Sequence, residues 1–257
     1  MLKKIKILYS LFFLLVLYFP ILMLIMNSFN SSTHSTEWEG FTLKWYLKLF
    51  DNYMLIEATK NSILLAFITM ILTSIIATMI SFGLYRYQYL GRKINYFFIQ
   101  IMIMLPDIIL GMSLLFFFTI FNIELGFKTL LISHLTLALP FAIMTILSGF
   151  NELDKNIIEV GRDLGASDYQ VLKKLIIPII LPDILVASLI TFTLSLDDVL
   201  ISYFVSGPQY EVLPLKIFSL ARIGTKPEVN AISSLMLLTS LSLISLSQIL
   251  FKGKSND

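Results

Sequence analysis

Six stretches of about 20 apolar residues constrain this sequence more than any other feature. Because a helix that crosses the ~30 Å hydrocarbon layer of a membrane needs about 20 residues with almost no charge, each stretch predicts a transmembrane helix. We therefore predict an all-α, polytopic membrane protein that forms a single domain over residues 1–257. The six predicted spans are 7–27, 62–84, 96–121, 129–150, 182–205 and 229–251.

The composition excludes several classes of protein. Apolar residues make up 57% of the chain and charged residues 14%, whereas a water-soluble domain carries roughly 25% charged residues. The chain has no Cys and two His, which excludes disulfide scaffolds and thiolate metal sites and gives no support to an imidazole metal cluster. The net charge of +2 comes without a long basic run, so a nucleic-acid partner has no electrostatic support.

The distribution of Lys and Arg predicts how the chain is oriented. Assigning the loops alternately to the two sides of the membrane places twelve Lys and Arg on one side and seven on the other. Cytoplasmic loops carry the excess of positive charge, so both termini are expected in the cytoplasm. The first span has no small-residue cleavage site after it, and we interpret it as a retained anchor rather than a signal peptide.

The longest predicted cytoplasmic segment, 151–175, has the pattern of two short helices. Apolar residues recur on one helical face, Gly165 is placed to end that helix, and Ser167 with Gln170 fits a capping box that starts a second one. Pro178 and Pro182 are expected to break the chain where it returns to the membrane. Such an elbow could dock into a groove on another protein or could merely connect two spans.

The charges inside the predicted spans are all acidic. Every Lys and Arg lies in a loop or tail, whereas Asp107, Asp183, Asp197 and Asp198 lie inside or at the edge of spans. An Asp at the centre of a membrane helix costs about 2.5–3.5 kcal/mol, so such residues normally face a bundle interior or an aqueous path. Asp183 follows Pro182 and is interpreted as a helix N-cap.

The other three aspartates have two possible roles. They could form a weak carboxylate station for a crossing cation, or Asp197 and Asp198 could lock neighbouring helices together through hydrogen bonds. Counted along unbroken helices, Asp107 and Asp197 lie about 16 and 21 Å from the inner edge. Pro106 should kink the third span, and Asp197 and Asp198 should point about 100° apart, so that one lines the path and the other packs.

Three further side chains are candidate functional residues, and each also has a purely structural explanation. Ser195 could donate a hydrogen bond to a substrate or to a neighbouring helix, and as a nucleophile it should lack a base because His134 lies in another span. His134 is expected to be a packed, hydrogen-bonded residue rather than a ligand. Trp45, in the predicted outer loop, could cover a cation with its ring or anchor that loop at the membrane interface.

Residues 159–167, EVGRDLGAS, followed by PIILP at 178–182, resemble the EAA loop of ABC-importer permeases. In this sequence Val160 and Gly161 replace the two alanines of that motif. The segments LYRYQ, PDII, FTLSLDDV and SGPQYEVLPLKI extend the resemblance from about residue 40 to 248, to the C-type permeases of spermidine/putrescine importers, which have the MetI-like fold.

This resemblance implies a function and a set of partners. The chain would be a non-catalytic subunit in the bacterial inner membrane that imports polyamines, with no cofactor of its own, because ATP would be bound by a partner. Those partners would be a sister permease, two copies of a cytosolic ATPase, an extracytoplasmic polyamine-binding protein and membrane lipid. The implied substrate-path residues are Asp107, Asp197, Asp198, Ser195 and Trp45, and the implied ATPase-coupling residues are Glu159, Asp163, Gly165, Ala166 and Asp168.

Three alternative functions remain open at this point. The chain could be an ABC permease for another small cationic solute, a proton-coupled secondary transporter in which the aspartates titrate, or an intramembrane aspartyl protease. The protease is the least supported by the residues, because the segment before Asp197 lacks the expected G-x-G-D context. No Gly-rich phosphate loop is present to bind ATP.

Overall fold

The computed structural model describes residues 2–33, 37–154, 156–224 and 227–254, and these residues are almost entirely helical. Among them, the only β-type pairing is an isolated bridge between Asn30 and Phe41. A π-helical segment, Leu172–Ile176, joins α8 to α9. The helices are α1 Leu2–Ser28, α2 Lys44–Leu49, α3 Tyr53–Arg86, α4 Arg92–Met104, α5 Asp107–Ile120, α6 Phe127–Asn151, α7 Asn156–Asp163, α8 Asp168–Val171, α9 Ile177–Asp197, α10 Leu200–Val205, α11 Leu213–Ile223 and α12 Pro227–Lys254.

Five helical runs among the described residues are long and apolar enough to cross a membrane, and a sixth is obtained if the bent pair α4 and α5 counts as one span. The number of apolar runs in the sequence therefore matches the fold. The orientation of the termini stays a prediction. The five runs are Tyr9–Ser28, Tyr53–Arg86, Phe127–Asn151, Asp168–Asp197 and Pro227–Leu246.

The third predicted span, 96–121, is not one continuous helix. Helices α4 and α5 meet at an angle of 107°. Leu105 and Pro106 between them are both extended, with ψ of 131° and 133°, because a proline disfavours the helical conformation of the residue before it. The kink predicted at Pro106 is thus a full break. The depth of Asp107, which is counted along an unbroken helix, stays a prediction.

The fifth predicted span, 182–205, also differs from the structure at both of its ends. Its helix does not start after a proline break, because the helical run continues from the π-helical segment through Pro178 into α9. A local π-helical adjustment is one way in which a membrane helix accommodates a proline. Pro182 lies inside α9 without ending it. The helix then stops at Asp197, because Asp198 is extended with φ −68° and ψ 126°, and α10 continues separately.

The described residues group into two compact units. One contains the described parts of 1–57 and 216–239, and the other contains those of 58–215 and 240–257. The prediction of a single domain stays a prediction. In the second unit α6 packs along α9, with a core that includes Ile146, Ile180 and Ala187, all fully buried.

Asp183 is not the helix cap that we predicted. It lies in the interior of α9, 1% exposed, because the prolines that were expected to start a new helix do not do so. A Cβ built on Gly149 of α6 would lie 3.0 Å from the Asp183 Cβ and would overlap its carboxyl group. Asp183 is therefore a packed residue of the α6–α9 contact.

The second halves of the two broken spans, α5 and α10, pack against each other. Gly111 of α5 lies against α10, where an added Cβ would be 3.2 Å from the Ile201 Cα and 2.9 Å from the Phe204 ring. Ile201 and Phe118 of α5 belong to the same fully buried cluster. This close contact brings the two breaks, at Pro106 and at Asp198, to the same part of the unit.

Candidate functional site

A cavity of about 260 Å³ lies where the two broken spans meet α6. It collects acidic side chains from the start of α5 and the end of α9, although these are far apart in sequence. Three predicted path residues therefore line one space together with an apolar wall. The lining residues are Asp107, Leu137, Phe141, Thr193, Leu194, Asp197 and Asp198.

Asp107 and Asp197 occupy opposite helix ends. Both are exposed within the chain's own fold. Asp107 begins α5, where free N–H groups favour a negative charge. Asp197 ends α9, where unpaired carbonyl groups disfavour one. Those carbonyls and the carboxylate would both attract a positive group, so the end of α9 has a more negative local potential than the start of α5.

Asp197 also forms a hydrogen bond with the last helix, α12. Its Oδ1 accepts a hydrogen bond of 2.8 Å from the Ser240 hydroxyl of α12. No sequence pattern indicates this partner, which lies 43 residues away. Thr193, one helical turn before Asp197, also lines the cavity and could have been found from its i, i+4 spacing.

Asp198 is the packed member of the acidic pair. It is 8% exposed, and its Oδ1 accepts the Ile201 amide at 3.2 Å. Its Oδ2 accepts the Ser202 amide at 2.7 Å and the Ser202 hydroxyl at 2.8 Å. These bonds satisfy N–H groups in the first turn of α10. Asp197 and Asp198 point in different directions because the helix breaks between them, and not because adjacent residues of an unbroken helix point about 100° apart.

His134 of α6 is buried beside this break. It is 1% exposed, and its Nδ1 lies 2.7 Å from the Ser195 Oγ while its Nε2 lies 3.1 Å from the Ser202 Oγ. The prediction of a packed, hydrogen-bonded His134 is confirmed. The argument that Ser195 has no base within reach is wrong, because α6 packs directly on α9.

Ser195 does not line the cavity. It is 4% exposed and its hydroxyl is directed to His134. The structure therefore places this residue behind the cavity wall.

Trp45 belongs to the other compact unit. It is 4% exposed, and its indole N–H donates a 2.6 Å hydrogen bond to the Asn30 carbonyl. The ammonium groups of Lys44 and Lys48 lie 5.5 and 5.7 Å from its ring centroid. These contacts fit the anchoring alternative, and a role of Trp45 in the path stays a prediction.

The predicted helix–turn–helix is present as an elbow, which we define as residues 156–171. Gly165 has φ +81°, a conformation that favours glycine, and the Ala166 amide donates to the Gly161 carbonyl at 3.1 Å. The Gln170 amide donates to the Ser167 hydroxyl at 3.3 Å and the Ser167 amide to the Gln170 Oε1 at 2.9 Å, which confirms the capping box. The first helix begins at Asn156 rather than 151.

The elbow exposes both charged and apolar side chains. Glu159 and Asp163 are exposed, and Asp168 accepts a 3.2 Å hydrogen bond from the Tyr87 hydroxyl. Three apolar side chains are left largely uncovered by the chain's own fold. They are Val160 at 54%, Leu164 at 84% and Tyr169 at 67% exposure.

Gly161 explains one departure of this elbow from the EAA motif. A Cβ at this position would lie 2.9 Å from the Val171 Cγ2 and 3.2 Å from the Leu175 Cδ1. Helix α7 therefore approaches the following helical segment more closely than an alanine would allow without a shift.

Residues 80–253 match the family described as "Binding-protein-dependent transport system inner membrane component". The chain belongs to this family. The permease is 43% identical over 240 residues to the spermidine/putrescine transport system permease protein PotC of Haemophilus influenzae, which covers 93% of each chain. It is 41% identical over 239 residues to PotC of Escherichia coli K12, which covers 93% of the permease and 90% of that protein.

Solved structures of ABC transporters have the same fold. The permease matches a chain of the MetNI methionine ABC transporter with TM-score 0.64 and 18% identity over 79% of its own length and 96% of that chain. It matches a chain of a bacterial alginate ABC transporter in complex with a pentasaccharide-bound periplasmic protein with TM-score 0.70 and 14% identity, over 96% and 92% of the two chains. The permease is a multi-pass inner-membrane transport component rather than an enzyme.

Proposed function

We propose that this permease passes polyamines such as spermidine and putrescine across the inner membrane as one subunit of an ATP-driven importer. The observation that carries the proposal is the convergence of Asp107, Asp197 and Asp198 on one cavity, whose described lining contains no Lys or Arg. Such a cavity attracts cations, and relatives above 40% identity are named for spermidine and putrescine transport.

The cavity lining suits a polyamine better than a simple metal cation. A polyamine alternates ammonium groups with methylene chains, so it needs alternating acidic and apolar contacts. Leu137, Phe141 and Leu194 supply the apolar surface between the acidic groups. Few strong contacts are needed, since a substrate in transit must also be released.

The elbow is the proposed contact with a cytosolic ATPase. Its exposed Val160, Leu164 and Tyr169 form an apolar surface suited to a groove on a partner. In this proposal two ATPase copies act on this permease and its sister subunit, while a polyamine-binding protein delivers substrate from the other side. Glu159, Asp163 and Asp168 supply the polar rim of the ATPase contact.

An aspartyl protease and a proton-coupled transporter explain the hydrogen bonds of the cavity and the exposed elbow less well than a permease does. An aspartyl protease needs two carboxyl groups free to share a proton, but Asp198 is occupied by amide and hydroxyl donors. A proton-coupled transporter would use the same aspartates without an ATPase and leaves the exposed elbow unexplained. Reconstitution of the chain alone separates these alternatives, since it should neither cleave peptides nor move spermidine down a proton gradient.

The test is spermidine uptake by the reconstituted importer with Asp197→Asn. A hydrogen bond to a charged group contributes about 1.5–3 kcal/mol, so we expect uptake to fall about tenfold or more. Asp51→Asn, the same chemical change at an exposed residue of the other unit, is the matched control and should transport normally. Equal uptake by both variants would contradict the proposed carboxylate station.

A further inference from the structure

We propose that His134 is a positioning residue for transport, which holds the break between α9 and α10 so that Asp197 faces the cavity. This inference rests on the proposed function and assigns a task to a side chain that does not line the cavity. His134 acts through Asp198 and two serines rather than by contact with substrate.

The hydrogen-bond donors around His134 fix where its proton lies. The Ser202 hydroxyl donates its proton to the Asp198 Oδ2 at 2.8 Å, so towards His134 it can only accept. The Nε2 of His134, 3.1 Å away, must therefore carry the proton, and it also lies 3.5 Å from the Asp198 Oδ2. In the neutral ring, Nδ1 then accepts the Ser195 hydroxyl proton at 2.7 Å.

These bonds make the imidazole a bridge across the helix break. Ser195 lies in the last turn of α9, and Ser202 lies in α10. Asp198 and Val199, directly after Asp197, are the residues between the two helices that leave the helical path. Because the ring is bonded on both sides, the end of α9 and the start of α10 are fixed relative to α6 and to each other.

Because the three side chains of this bridge are buried, losing its hydrogen bonds costs free energy. Ser195, His134 and Ser202 are 4%, 1% and 0% exposed, and a buried donor or acceptor left without a partner costs about 1–3 kcal/mol. If the bridge is lost, we expect the break to relax until these groups find other partners. The carboxyl group of Asp197, which follows Ser195 by two residues, would then lose its orientation.

The first test compares Phe, Gln and Asn at position 134 in the assembled importer. His134→Phe replaces the imidazole with a larger ring that makes neither bond. Gln can keep the bond to Ser202 from the Nε2 position, and Asn can keep the bond to Ser195 from the Nδ1 position, so each loses one side of the bridge. We expect His134→Phe to raise the KM for spermidine about tenfold, which corresponds to about 1.4 kcal/mol, and His134→Gln and His134→Asn each to raise it by a smaller factor. A KM of His134→Phe equal to that of the wild type would overturn the proposal.

A double variant separates positioning from general stability. If His134 acts by orienting Asp197, then His134→Phe combined with Asp197→Asn should transport no worse than Asp197→Asn alone. Multiplied defects would overturn the positioning role.

A second measurement does not depend on transport. The chain has no Cys, so Thr193→Cys places one thiol in the cavity wall for labelling by a cationic methanethiosulfonate reagent. We expect His134→Phe to slow labelling severalfold and His134→Gln, which keeps only the bond to Ser202, to slow it less. Equal labelling rates in all three backgrounds would overturn the inference, whereas failure of the wild-type importer to take up spermidine would overturn the proposed function instead.

Discussion

Adjacent aspartates in this permease have different tasks because of where one helix ends. Asp197 closes α9 with a single hydrogen bond from Ser240 to its Oδ1, a bond that an asparagine oxygen could also accept. Asp198 accepts three hydrogen bonds from Ile201 and Ser202 through both of its oxygens. Asp197 is the exposed carboxylate that the proposed cation station requires, whereas Asp198 holds the start of α10.

The neighbouring pair therefore predicts two distinct phenotypes. Asp198→Asn would turn an amide NH₂ towards donors that now bond a carboxylate oxygen, at a cost of about 1–3 kcal/mol for each buried donor left unpaired. We expect a lower melting temperature of the purified Asp198→Asn permease in detergent and no such loss for Asp197→Asn. A melting temperature of Asp198→Asn equal to that of the wild type would contradict this division of roles.

At the scale of elements, one helical run connects the elbow with the acidic cavity. Residues Asp168–Asp197 form a continuous candidate span of 30 residues, about 45 Å long at 1.5 Å per residue. In the proposed importer, this run is the structural element along which a movement of the elbow would reach Asp197.

Breaking this run should uncouple ATP hydrolysis from transport. Leu185 is 45% exposed and lies midway along α9, and a proline in a helix interior costs about 3 kcal/mol more than alanine. We expect Leu185→Pro to copurify with the ATPase and hydrolyse ATP without spermidine uptake. Leu185→Ala keeps the helix and is the control, and equal uptake by the two variants would show that α9 does not transmit the movement.

The sequence predicts where the helices lie better than it predicts where the spans break. Apolar runs and the capping box at Ser167 depend on nearby residues, and both were found correctly. The break at Pro106 has a local cause, but its 107° angle depends on how α5 packs against α10. The break at Asp198 has one local cause, since its carboxylate accepts two backbone amides at the start of α10. Its contact with His134 has no local signal, because the two residues lie more than sixty positions apart in the chain.

At the scale of the whole molecule, orientation remains to be measured. The charge distribution predicts that the loop containing Asp51 lies outside and that the elbow containing Asp163 lies in the cytoplasm. Labelling can test this cleanly because the chain has no Cys background.

We expect a membrane-impermeant thiol reagent to label Asp51→Cys in intact spheroplasts and to label Asp163→Cys only after permeabilisation. The unmodified permease should give no signal in either condition. Labelling of Asp163→Cys from outside would reverse the predicted topology.

The contact between Gly149 and Asp183 limits how this permease can diverge. Since a side chain at position 149 would occupy the space of the Asp183 carboxyl group, the two positions cannot drift independently. Homologous sequences that carry a larger residue at 149 should carry a shorter one at 183, so this pair should appear as a correlated substitution wherever the two helices keep their spacing.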